Sequence, residues 1–221
     1  MKRTDAELKA AVTQELKWDT RVNETALGVA VDGGVVTLTG TATSWAEKAE
    51  AQAAAHRVFG VQDVANDIEV RLTDRGVRSD ADIALALRTA LEWNVFVPEQ
   101  RIHSTVSNGW VTIEGDVENG TQRAEVEKAV APLMGVRGVI NKISVRAPMV
   151  DPVDVRDAVK SALERRASRE AAHIAIDVHG HAVTLSGVVH SWAERSSVLG
   201  AARGTRGVSD VHDRLSVLPW S

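Results

Sequence analysis

Apolar residues recur along the chain in two alternating rhythms. Leu8, Ala11, Val12 and Leu16 fall three and four residues apart, as do Ile83, Ala86, Leu87 and Leu91, and again Val155, Ala158, Val159 and Leu163. That spacing draws one face of an α-helix. Downstream of each helix the period drops to two: Leu27, Val29 and Val31, then Ile102 and Val106 with Ser104 between, then Ile174, Ile176 and Val178. Alternation of this kind predicts strands with one buried face. Gly33-Gly34, Asn108-Gly109 and Gly180-His181 follow as hairpin turns, and the next strands aim Val36 and Leu38, Val111 and Ile113, or Val183 and Leu185 inward.

The rhythm repeats because the sequence does. The segments ending at Gly40, Gly115 and Gly187 align at offsets of 75 and 72 residues, and the same offsets superimpose Gly60, Gly135 and Gly207, and Ile68, Ile143 and Leu215. Helix starts repeat as well, with Thr4, Ser79 and Asp151 each followed three residues later by an acid. Pro152 adds a first-turn signal in the third copy. A second set of caps, Ser44 with Glu47, Asn119 with Gln122 and Ser191 with Glu194, opens an alanine- and valine-rich helix. Gly60, Gly135 and Gly207 are placed where that helix ends in a left-handed residue, and a last strand buries Ile68 and Val70, Ile143 and Val145, or Leu215 and Val217.

Each unit therefore reads helix, strand, strand, helix, strand, and the expected class is α+β: three tandem αββαβ domains, each a three-stranded sheet with two helices packed on one face. The expected boundaries are 1–73, 79–147 and 151–219. Linkers this short predict a semi-rigid three-lobed particle, with neighbouring units in apolar contact through open sheet faces or edge strands.

The resemblance these residues carry is to BON-domain proteins, the family named for bacterial OsmY and nodulation proteins. It rests on the αββαβ order, the strand Val35-Val36-Thr37-Leu38-Thr39-Gly40 and its two copies, and the turn Gly60-Val61-Gln62-Asp63-Val64-Ala65-Asn66 with its counterparts at Gly135 and Gly207. The resemblance implies a non-enzymatic interaction module, similar to osmotically inducible members that act in envelope stress. Its implied partners are anionic phospholipid surfaces or envelope-associated proteins. A cytoplasmic scaffold that self-associates without touching lipid is the alternative, and ion sensing a third.

Composition narrows the chemistry. The 221 residues are 44% hydrophobic and 25% charged, within the range of folded globular chains. A net charge of -4 argues against nucleic acid as a partner, since non-specific binding there depends on neutralising phosphates. There is no cysteine, hence no disulfide and no thiolate chemistry. No nucleophile elbow, phosphate loop or metalloprotease helix occurs, so no catalytic residue and no cofactor are expected. His179 and His181 flank a turn, but no third ligand stands in fixed relation to them, and they read as exposed loop residues. With neither an apolar leader nor a membrane-length segment, the chain as written reads as cytoplasmic, and as periplasmic only if a leader has been removed.

Tryptophan is used selectively: six are present, against two phenylalanines and no tyrosine. Trp45 and Trp192 stand just after the second-helix cap, and Trp110 on the sheet face opposite the helices, so these three are the candidate interaction surface. Trp18 and Trp93 are expected to close the edges of their own cores. Net charge rises from -3 in residues 1–75 through -1 in 76–147 to zero in 148–221. Arg165, Arg166 and Arg169 of the last unit are accordingly the candidate contacts to phosphate headgroups.

Overall fold

The computed structural model describes residues 3–146, 148, 151–166 and 174–218. The first unit runs α1 (Asp5–Trp18), β1 (Leu27–Asp32), β2 (Val35–Ala42), α2 (Trp45–Arg57), β3 (Asp63–Asn66) and β4 (Glu69–Val70). The second runs α3 (Asp80–Glu92), β5 (Ile102–Ser107), β6 (Trp110–Val117), α4 (Gly120–Val130) and β7 (Gly138–Val145). The third runs α5 (Pro152–Arg166), β8 (Ile174–His179), β9 (Ala182–Val189), α6 (Trp192–Arg203) and β10 (Asp210–Val217).

In every sheet the middle strand of the unit is central. It pairs antiparallel with the first strand through the hairpin, and parallel with the last strand, which returns through the second helix. β3 and β4 are two halves of one path along β2. At the end of β3 the Asn66 side-chain oxygen accepts the Ile68 N–H at 3.3 Å, while its amide donates to Lys48 O at 3.1 Å. Asn141 and Asp213 make the same local bond to Ile143 and Leu215, at 3.1 and 3.0 Å. Asp213 also accepts from Arg195 on α6, so this polar site pins the last strand beneath the second helix.

The predicted apolar faces are the cores. Val36 and Leu38, Val111 and Ile113, and Val183 and Leu185 are wholly buried, against Leu8, Val12 and Leu16, Ile83, Leu87 and Leu91, or Val155, Val159 and Leu163. Each such side chain contributes on the order of 1.5–3 kcal/mol by leaving water. Small residues let the second helix approach closely, and Ala51, Ala54 and Ala55 of α2 are fully enclosed. Gly40 and Gly115 interrupt the central strands at φ +106° and +136°. A side chain there would drive into the carbonyl of Ala26 or Arg101, where the preceding 3₁₀ turn crosses into the sheet.

The hairpins differ in a way that follows from their turn residues. Gly33 and Gly34, and Asn108 and Gly109, all take positive φ, as a two-residue I′ turn requires. In the third hairpin only Gly180 does so, and the second turn position holds His181 in place of a glycine. The His181 ring instead bonds Gly207 O at 2.9 Å.

Among the described residues, neighbouring units meet chiefly through their second helices, α6 lying against both α2 and α4. The sheet faces opposite the helices carry threonines and charged residues that tolerate water, whereas the alanine-rich second helices have apolar surface left over once their own sheets are covered.

Candidate interaction surface

Three equivalent positions, 45, 120 and 192, open the three second helices. Ser44, Asn119 and Ser191 cap them by accepting the N–H three residues on, at 3.1, 2.9 and 3.1 Å. The acidic or amide residue that donates this N–H reaches one residue further back than a capping box does. Glu47 accepts the N–H of Thr43 at 2.7 Å, Gln122 that of Glu118 at 2.9 Å, and Glu194 that of His190 at 2.7 Å. Glu47 also accepts from Asn23 N at 2.9 Å. Burial opposes its charge, but the Thr43 hydroxyl and the two backbone N–H groups prevail and hold its carboxyl below the usual glutamate range.

These caps aim the first side chain of the helix at the next unit. Trp192 packs against the core of its own unit and that of the first, where its indole stacks on His56 with ring centroids 3.9 Å apart and planes 16° from parallel. The Arg195 guanidinium also lies over the indole, 4.4 Å from the ring centroid, and is ion-paired to Asp213 at 2.8 Å. Trp45 packs in the same sense against the core of the second unit. At the third equivalent position Gly120 meets Arg203 of the third unit. His56, Ala131 and Arg203 are themselves equivalent positions near the ends of the three second helices. Trp192 on His56 and Gly120 on Arg203 thus repeat one head-to-tail contact, and Trp45 on the second unit completes a cycle among the three units.

Trp45 and Trp192 are therefore half-buried, each packed against the core of a neighbouring unit. Trp110 stands on the open face of the middle sheet, 49% exposed, with its ring laid across Gly138 of the neighbouring strand, where any side chain would collide with it. Arg165 and Arg166 end α5 with side chains outside the described residues, and Arg169 and His173 lie outside them altogether.

The expectation for Trp18 and Trp93 is overturned. They are 74% and 84% exposed, and Val95 and Phe96 beside Trp93 are 89% and 67% exposed. The reason is helical geometry: each tryptophan follows a buried leucine, Leu16 or Leu91, by two positions, which is about 200° around the axis. That signal was present in the sequence. Arg165 holds the equivalent place in the third unit. Beside the Trp93 segment, α3 and β5 border an open groove containing Leu85, Arg88, Ile102 and His103, and Leu85 is itself 67% exposed.

Other charged residues serve structure. Asp19 accepts from Arg21 at 2.8 Å and Arg57 at 2.7 Å, and the Arg21 hydrogen bond above all holds its carboxyl far below the usual range. Asp5 and Asp80 each clamp a hairpin turn, accepting the N–H groups of Gly33 and Gly34, or of Asn108 and Gly109, at 2.8–3.0 Å. Pro152 replaces this aspartate in the third unit. Among the described residues no group of three or more histidines or carboxylates is arranged to hold a metal ion, and no helix is long and apolar enough to cross a membrane.

Comparison with known proteins places the repeat. The BON domain model matches residues 4–71, 79–147 and 151–219. Osmotically-inducible protein Y of Escherichia coli (strain K12) is 26% identical over 146 residues, which is 64% of this chain and 73% of that protein. CdsD, described as a structural protein of the type III secretion system of Chlamydia trachomatis, aligns over 97% of this chain and 94% of its own, at 13% identity and a TM-score of 0.28. A second structure, of the C-terminal domain of CdsD, aligns at 14% identity and a TM-score of 0.27, over 98% of this chain and all of its own.

Proposed function

The chain belongs to the BON-domain family, and from that premise we propose that it is a non-enzymatic, stress-related binding protein that docks on anionic phospholipid surfaces. The stress role is carried over from the relative named as osmotically inducible. The observation that supports lipid is the exposed aromatic segment at the end of α3: Trp93, Val95 and Phe96, matched by Trp18 at the end of α1. Isolated exposed apolar residues are ordinary, but a contiguous run of large ones marks a partner. Indole rings favour the headgroup level of a bilayer, where an apolar body and a polar N–H are both satisfied. Arg165 and Arg166 occupy the corresponding helix end in the third unit, with Arg169 close behind. Each arginine is worth roughly 1 kcal/mol near an anionic surface, falling within a Debye length.

Trp110 is the second proposed contact, since its half-exposed ring shares a sheet face with Ile140, 43% exposed. Trp45 and Trp192 act in assembling the three units.

Cosedimentation with phosphatidylcholine vesicles, with and without phosphatidylglycerol, at low and moderate salt, tests the reading. Salt-sensitive binding to the anionic vesicles with a blue shift of tryptophan emission is expected. Absence of binding to either vesicle overturns it in favour of the self-associating scaffold, which light scattering would then register.

A further inference from the structure

The three inter-unit contacts are built on equivalent positions, yet of the three equivalent residues near the ends of the second helices only one titrates near neutrality. At the helix ends that receive the neighbouring unit stand His56, Ala131 and Arg203. Alanine has no proton to gain, and arginine is always charged. His56 is half-buried, its ring flat against Trp192, and neither its Nε2 nor the indole Nε1 finds a hydrogen-bond partner among the described residues. We propose that this contact is an acid-opened seam: protonation of His56 separates the first unit from the third while the Trp45 and Gly120 contacts hold.

The charges around the imidazole set the direction. Burial weighs most heavily against its protonated form. From α6, Arg195, which lies over the same indole, adds repulsion, and Asp213 of β10 partly compensates Arg195 through their ion pair. From the β3 edge, Asp63 alone draws a proton toward the ring. Stacking of a cationic ring on an indole is favourable in itself, but the same ring gains full hydration once the seam opens. Because its pKa in the closed state lies below the ordinary 6.5, His56 contributes closure above that pH, and the contribution is lost as pH falls below it.

Opening frees one face of Trp192 and leaves the first unit attached through the second. This differs from general acid unfolding, because among the described residues no histidine is fully buried, and the buried carboxyls of Asp19 and Glu47, held below their ordinary range, remain charged at pH 5.

Small-angle scattering and tryptophan emission at pH 7.5 and pH 5.0 test the proposal on the full chain. The wild type is expected to expand and to shift its emission to the red at pH 5.0, with its far-ultraviolet circular dichroism unchanged. His56→Phe keeps a flat ring without a titrating nitrogen and should stay closed at both values. Trp192→Ala should be open at both. An unchanged wild-type radius, or an acid transition in His56→Phe identical to that of the wild type, overturns the proposal. Should His56→Phe fail to fold, a proton NMR titration of the wild-type ring decides: a midpoint at or above 6.5 is incompatible with the seam.

Discussion

Gly120 faces the β-carbon of Arg203 so closely that a methyl group on Gly120 would stand 2.9 Å from it. The second unit therefore carries a glycine where the first and third carry Trp45 and Trp192. A tryptophan at 120 has no space, because Arg203 fills the place that His56 leaves open to Trp192.

That contact yields the first prediction. Gly120→Ala should destabilise the chain by about 1–2 kcal/mol, the usual cost of forcing an extra carbon into a packed contact, despite the better helix propensity of alanine. Chemical denaturation followed by circular dichroism measures it. A stabilised variant would mean that the second and third units are not held in this contact.

The aspartate clamps on the hairpins give a second. Asp80→Ala removes the acceptor for the N–H groups of Asn108 and Gly109, at 2.8 and 2.9 Å. The turn is exposed, so water replaces part of what is lost and the cost should be about 1 kcal/mol. Amide exchange should accelerate at Asn108 and Gly109 and remain unchanged at Gly33 and Gly34, which Asp5 holds.

Glu47 supplies a pH dependence. Its carboxyl is held below the ordinary 4.5, so the carboxylate stabilises the fold above that pH and ceases to do so as pH falls through its lowered value. Glu47→Gln keeps the shape but weakens bonds to Thr43 and Asn23, with an expected loss of about 1–2 kcal/mol at pH 7. Thermal unfolding across pH 3–7 should show the difference from wild type shrinking toward the acid end.

The exposed aromatic segment separates binding from stability. Trp93→Ala combined with Phe96→Ala should change the unfolding free energy by less than about 0.5 kcal/mol per site, as surface substitutions do. The same variant should lose most of its binding to anionic vesicles. Retained binding would move the lipid contact away from this end of α3.

Periodicity, caps and internal repetition determined the element order and the three cores on their own, because each rests on spacings within about seventy residues. Leu38, Ile113 and Leu185 are buried where period two puts them, and the strand glycines mark real crossings. The helical wheel also held the exposure of Trp18 and Trp93, although the general preference of tryptophan for burial argued the other way. What the tertiary structure alone decided is the pairing between units. That Trp192 rests on His56, 136 positions away in sequence, and Gly120 on Arg203 depends on which leftover apolar surfaces of three folded domains fit together. No local period encodes such a fit, because the helix surface that carries these residues is not needed to fold any unit by itself.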